Sequence, residues 1–162
     1  IEVSSFHLVK LDEVDKAEEK IELENSKTDY KLLRPNLIIP GLRIIADNKD
    51  NEYPQKIFEL GKVFKKRATT ETGIEEHESL CILCTPSNFT EAKQILDYLT
   101  KALNLEYSIK ENENKYLIPG RCASITINGE EVGMLGEVHP EVLRTWNIKM
   151  PIALIEINLD LI

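Results

Sequence analysis

GRCASITINGEEVGMLGEVHPEVLRTWNIKMPIALIEINLDL, residues 120–161, reads as a β-hairpin, a short helix and a closing strand with almost no spacer between them. Asn128-Gly129 sits between two alternating runs, residues 122–127 and 131–138. That dipeptide tolerates the positive φ angles of a tight type I′ turn, which predicts a hairpin. Pro140 stands where a helix would begin, and its missing N–H costs nothing at the first helical position. Upstream, residues 55–66 alternate cleanly. Ile57, Glu59, Gly61 and Val63 share one face, and Phe58, Leu60 and Phe64 share the other. Residues 78–85 are apolar on both faces, as in a central strand. The clearest helix is residues 89–103, with Asn88 as cap, Glu91 at the capping-box offset, and Ala92, Ile95, Leu96, Leu99 and Leu103 as one apolar stripe. Residues 2–11, 20–24 and 105–110 read as further strands. Pro40 is positioned to start a helix that ends near Asn48, with Ile44 and Ile45 on its buried side. Together these predict an α+β fold: a mostly antiparallel sheet of about six to eight strands with two or three helices packed on it.

The chain has 162 residues, enough for a single domain with a sizeable core, and begins with Ile1, which reads as a piece of a longer protein. No apolar run approaches the roughly 18 to 20 residues that cross a bilayer, and no secretory leader is recognisable, so no membrane partner is expected. The formal net charge of −8 argues against nucleic-acid binding by this piece alone, since phosphate neutralisation needs clustered cations. The one dense basic run, residues 62–67, reads as a solvated strand end, and the acidic stretch 12–24 as a solvated helix or loop face. Three cysteines with no secretory context suit a reducing compartment. Cys81 and Cys84 have metal-knuckle spacing. In a strand, however, residues three apart face opposite ways, and His7, His77 and His139 are scattered, so the thiols read as core residues.

Catalytic signatures are missing from the sequence. Gly129, Gly133 and Gly136 are spaced as hairpin glycines and lead into no phosphate-binding helix. Glu59 and Glu137 are strand carboxylates that an acid–base pair would require, though a structural role is the simpler reading. His139, ahead of Pro140, reads as a cap.

Four segments in order carry a resemblance: Leu32-Leu-Arg34-Pro-Asn-Leu-Ile-Ile-Pro40-Gly-Leu42; Tyr53-Pro-Gln-Lys-Ile-Phe-Glu59-Leu-Gly-Lys-Val-Phe64; Ile118-Pro-Gly-Arg121; and Gly136-Glu-Val-His-Pro-Glu-Val-Leu143 with its trailing Trp146-Asn-Ile. They resemble the C-terminal core module of the phenylalanyl-tRNA synthetase β subunit, in its archaeal and eukaryotic-cytosolic form. The resemblance implies a class II synthetase core-like fold that is itself inactive and holds no cofactor or metal. It implies that a catalytic α subunit carries ATP and Mg²⁺, that the assembly is a cytoplasmic (αβ)₂ heterotetramer, and that tRNA(Phe) is met through the whole complex. It places Arg34, Pro40, Gly41, Leu42, Ile45 and Phe58 at a subunit interface. The sequence agrees with inactivity: Lys56-Ile-Phe-Glu59 and Gly133-Met-Leu-Gly136 lack the arginines that clamp phosphate bidentately. The readings from other classes are a stand-alone class II-like ATP-dependent ligase, in which Arg121 would bind nucleotide, and a stand-alone RNA-binding module.

Overall fold

The computed structural model describes residues 1–15 and 19–162. Its elements in chain order are β1 (Leu8–Lys10), β2 (Tyr30–Leu33), α1 (Ile38–Asp47), β3 (Gln55–Lys66), β4 (Ile74–Thr85), α2 (Phe89–Ala102), β5 (Tyr107–Glu111), β6 (Leu117–Ile127), β7 (Glu130–Val138), α3 (Pro140–Thr145) and β8 (Ala153–Asn158), with a closing 3-10 turn at Leu159–Leu161. β1 and β2 form a small antiparallel ribbon. The other six strands make one sheet in the order β3-β4-β8-β7-β6-β5, antiparallel at every step. The fold is α+β, as the sequence predicts. The chain leaves β4, crosses one face as α2 and re-enters at the far edge as β5. The last strand, β8, then fills the middle.

The hairpin forms as read. Asn128 and Gly129 take φ of 53° and 85°, and Ile127 faces Glu130 across the two-residue turn. Pro140 opens α3, and the His139 side chain accepts from the Glu141 N–H at 3.2 Å as its cap. β3 has the bounds its alternation predicts, with Ile57, Glu59 and Val63 turned inward. Asn88 accepts from the Glu91 N–H at 3.0 Å and starts α2.

Several boundaries differ. Residues 2–11 form no single strand, because their partners lie on two different edges. Val3 N–H donates to Phe58 O at 2.9 Å along β3, and only Leu8–Lys10 then turns to pair with β2. In residues 20–24 only Glu22 makes a bridge, to Leu32. The acidic stretch 12–24 includes residues 16–18, which lie outside the described residues. α1 begins at Ile38 rather than Pro40, since the Asn36 side chain accepts from Ile39 N–H at 3.1 Å and fixes the first turn earlier. Ile45 is buried in it, whereas Ile44 is only half-buried. β4 starts at Ile74 because β3 pairs with it along its full length, Lys66 facing Ile74. β5 begins two residues later than read, at Tyr107. Leu103 falls past the last turn of α2 and is exposed; Thr100 takes the buried place, its hydroxyl donating to Leu96 O at 2.8 Å.

Two cores lie on opposite faces of the sheet. One holds α1, the β1–β2 ribbon and the residues after α3 against Ile57, Val63, Cys81, Leu83 and Leu154. The other holds Ala92 and Leu96 of α2 against Ile125, Leu135, Ile155 and Ile157. β8 serves both by strict alternation, Leu154 facing the first and Ile155 and Ile157 the second.

Candidate functional site

The chemistry-bearing side chains gather on the α1 face, in register across three strands. Glu59 of β3 faces Cys81 of β4, which faces Glu156 of β8. All three are buried. Arg34, just after β2, is only 1% exposed and reaches into the same layer. Its Nη1 donates to Glu59 Oε1 at 2.7 Å and to Ser5 Oγ at 2.8 Å, and its Nε donates to Lys62 O at 2.7 Å. The Ser5 hydroxyl donates to Glu59 Oε2 at 2.7 Å and its N–H to Oε1 at 3.1 Å. The guanidinium comes close to the β3 backbone because position 61 is glycine: a Cβ there would stand 2.4 Å from Arg34 Nη2. Glu156 accepts from the Leu37 N–H at 2.7 Å, an otherwise unpaired donor at the start of α1. Burial drives the Cys81 thiol well above its ordinary pKa, and the charges of Glu156 and Glu59 push the same way. It is a protonated core thiol. Cys84 is also buried, and burial raises it too.

Beside this layer is an open cleft of about 570 Å³. Val63, Ser79, Met134, Glu156, Asn36, Tyr116 and His77 are among the residues that line it. Burial, with the charge of Lys65, holds the His77 imidazole below its ordinary pKa. Asn36 Nδ2 donates to Tyr116 Oη at 3.4 Å, tying the start of α1 to the loop before β6. A second hollow of about 510 Å³ lies by Arg121, Glu137 and Phe89. There Arg121 Nη1 donates to Glu137 Oε2 at 2.8 Å, and Phe89 N–H to Glu137 Oε1 at 3.0 Å.

The two strand carboxylates do not form an acid–base pair. Glu59 is on β3 and Glu137 on β7, with β4 and β8 between them, and each is bound to an arginine of its own. Of the residues expected at a subunit interface, Arg34, Pro40, Gly41, Leu42 and Ile45 are buried within this chain, and Phe58 is half-buried. Gly41 faces Leu83, where a Cβ would stand 2.6 Å from a Leu83 methyl. Leu42 and Ile45 pack in the core that joins α1 to the sheet. Among the described residues, no group of three or more His, Cys, Asp and Glu is placed to hold a metal ion. No helix in those residues is long and apolar enough to cross a membrane.

Sequence reasoning missed the Arg34–Glu59 pair and overlooked Glu156. The available signals were a lone carboxylate in each of two apolar strands, FEL and IEI, and a lone arginine ahead of an apolar helix. A charge in such a strand demands a buried partner.

The family of the chain follows from comparison with known proteins. Residues 1–159 match the family described as "Phenylalanyl tRNA synthetase beta chain CLM domain". The chain is 41% identical over 142 residues to a phenylalanine–tRNA ligase β subunit of Thermococcus onnurineus, covering 86% of this chain and 25% of that protein. It is 39% identical over 166 residues to the corresponding protein of Thermococcus sibiricus (98% and 30%), and 34% identical over 128 residues to that of Methanopyrus kandleri (77% and 22%). It therefore spans less than a third of the length of these relatives. The chain belongs to the phenylalanyl-tRNA synthetase β chain family.

Proposed function

We propose that this chain is a non-catalytic, class II core-like module of a phenylalanine–tRNA ligase β subunit. Its role is to support assembly with a catalytic α subunit in a cytoplasmic (αβ)₂ heterotetramer. The α subunit activates phenylalanine with ATP and Mg²⁺, and tRNA(Phe) is engaged by the whole complex. The mostly antiparallel sheet with helices on both faces supports the class II likeness. One observation carries the non-catalytic reading. The guanidinium on the α1 face is 1% exposed and bound to Glu59, Ser5 and the Lys62 carbonyl. A triphosphate needs such a guanidinium turned outward as a bidentate donor, so these residues do not fit one. Arg34, Glu59 and Glu156 serve instead to fix the N-terminal segment, β3, β8 and the start of α1 relative to one another.

The test is phenylalanine-dependent ATP–pyrophosphate exchange by the full β subunit alone, by α, and by the co-expressed pair, with co-purification read alongside. The expected result is stable association and exchange that requires α. Exchange by the β subunit alone, abolished by Arg121→Ala, would overturn the reading in favour of an active ligase.

A further inference from the structure

Among the asparagines of the sequence, Asn128 alone precedes a glycine. The side-chain amide of an asparagine is open to attack by the backbone nitrogen of the residue after it. That nitrogen gives up its proton and bonds to Cγ, ammonia leaves, and a cyclic imide forms. Water then opens the ring at one carbonyl or the other, giving aspartate or isoaspartate. Glycine in the second place leaves the attacking nitrogen unshielded by a side chain, and Asn128 and Gly129 are both exposed. Solvent and sequence therefore favour the reaction here.

Backbone geometry opposes it. Asn128 has a φ of 53°, in the left-handed region, where ψ is about +30 to +60°. Such a ψ sets the Gly129 nitrogen nearly anti to Cβ of Asn128, pointing away from Cγ in every side-chain rotamer. Ring closure needs the nitrogen and Cβ on the same side. The rotation that brings them together takes Asn128 out of the left-handed region and pulls Glu130 away from Ile127, its partner across the turn. The flanking strands resist that motion. Ile127 and Val132 are buried in the α2-side core, and β7 is paired with β8 along its other edge. The two products also differ. Aspartate keeps the main chain and suits the same turn. Isoaspartate routes the main chain through Cγ and adds a methylene to a two-residue turn, so Ile127 and Glu130 lose their register. We propose that Asn128 is an intramolecular modification site gated by the β6–β7 turn. The closed hairpin protects the amide, opening of the hairpin exposes it to loss of ammonia, and the isoaspartyl product cannot close the turn again.

The experiment ages the full β subunit, co-expressed with α, in mildly alkaline buffer and, in parallel, in urea above its unfolding midpoint. Ageing continues until conversion in the native sample is measurable. Trypsin cleavage after Arg121 and Arg144 yields the peptide 122–144, in which the mass change from amide to acid and the chromatographic separation of aspartyl from isoaspartyl forms are read. Conversion at Asn128 is expected to be at least about tenfold slower in the native sample than in urea. Val132→Ala loosens the hairpin without touching the reacting atoms, so it should speed native conversion and leave the rate in urea unchanged. Brief digestion of the partly converted native sample should release the isoaspartyl peptide ahead of the asparaginyl one. Equal rates in the native and urea samples, or no conversion in urea, would overturn the proposal. An unchanged native rate in Val132→Ala would overturn gating by hairpin opening. Simultaneous release of the two peptides would overturn the claim that the product cannot close the turn. If Val132→Ala does not fold, the ratio of native to urea rates in the wild type decides alone.

Discussion

At the scale of single residues, Arg34 shows how a buried charge can organise a fold without contributing net stability through its ion pair alone. Removing both charges from water costs several kcal/mol per ion, and the 2.7 Å contact with Glu59 offsets that only with further hydrogen bonds. Those bonds come from Ser5 and the Lys62 carbonyl, so three distant parts of the chain must be in place together. Arg34→Met removes one partner and strands the Glu59 carboxylate in the core. The expected loss is about 3–5 kcal/mol, read as a lower urea midpoint at neutral pH. Arg34→Met/Glu59→Leu removes both charges and should regain much of that loss. A single variant within about 1 kcal/mol of wild type would mean that water reaches Glu59 and the layer is not dry. Gly61 belongs to the same arrangement, because a Cβ at that position would meet the guanidinium at 2.4 Å.

At the scale of elements, the start of α2 is held from two sides. Asn88 caps it locally, and Glu137 reaches from β7 to accept the Phe89 N–H. Burial alone would raise the Glu137 carboxyl, but the Phe89 N–H and Arg121 outweigh it and hold the group below its ordinary value of 4.5. A carboxyl whose folded pKa is depressed contributes stability that is fully present above its unfolded pKa and is lost as pH falls through the folded one. Glu137→Gln should therefore lower the melting temperature near neutral pH. The gap to wild type should narrow as pH falls below about 4. A gap of constant size from neutral pH to about pH 3 would assign the loss to packing rather than charge. Local signals explain what was legible among these elements. Asn88 with Glu91, Asn128-Gly129, and Pro140 each act within a few residues, so α2, the β6–β7 hairpin and α3 could be read directly. α1 could be read only to within a turn, because its start is set by Asn36 together with Glu156, 119 residues away from Leu37. Residues 2–11 misled for a related reason. Their alternation is that of an extended chain, but whether an extended chain becomes a strand depends on which edge it meets, and here it meets two.

At the scale of the whole molecule, the six-stranded sheet has two edges, and the chain treats them differently. β5 ends the sheet at one side, while β3 is covered at the other by residues from the N-terminal stretch and by Arg34. Ile1 N–H donates to Lys56 O at 2.8 Å, Phe58 exchanges bonds with Ile1 and Val3, and Phe64 N–H donates to Arg34 O at 3.0 Å. An uncovered edge strand is a template for pairing with another chain, and β3, at 12 residues, would be a long one. The N-terminal stretch thus performs two tasks: it occupies the β3 edge, and it delivers Ser5 to the Arg34–Glu59 pair. Deleting residues 1–7 separates these effects from a point change. Ser5→Ala removes only the hydroxyl bonds and should cost about 1 kcal/mol, or up to about 3 with the carboxylate left short of a donor, and the chain should keep its size in solution. The deletion should cost more and also expose the edge, so the truncated protein should melt earlier and show concentration-dependent growth in size-exclusion chromatography and light scattering. Adding Leu60→Lys to the truncated chain, a charge on the uncovered strand, should suppress that growth without restoring the melting temperature. If the chain lacking residues 1–7 keeps the size of the undeleted one at every concentration, edge protection is not what residues 1–7 provide, and their contribution reduces to the Ser5 contact.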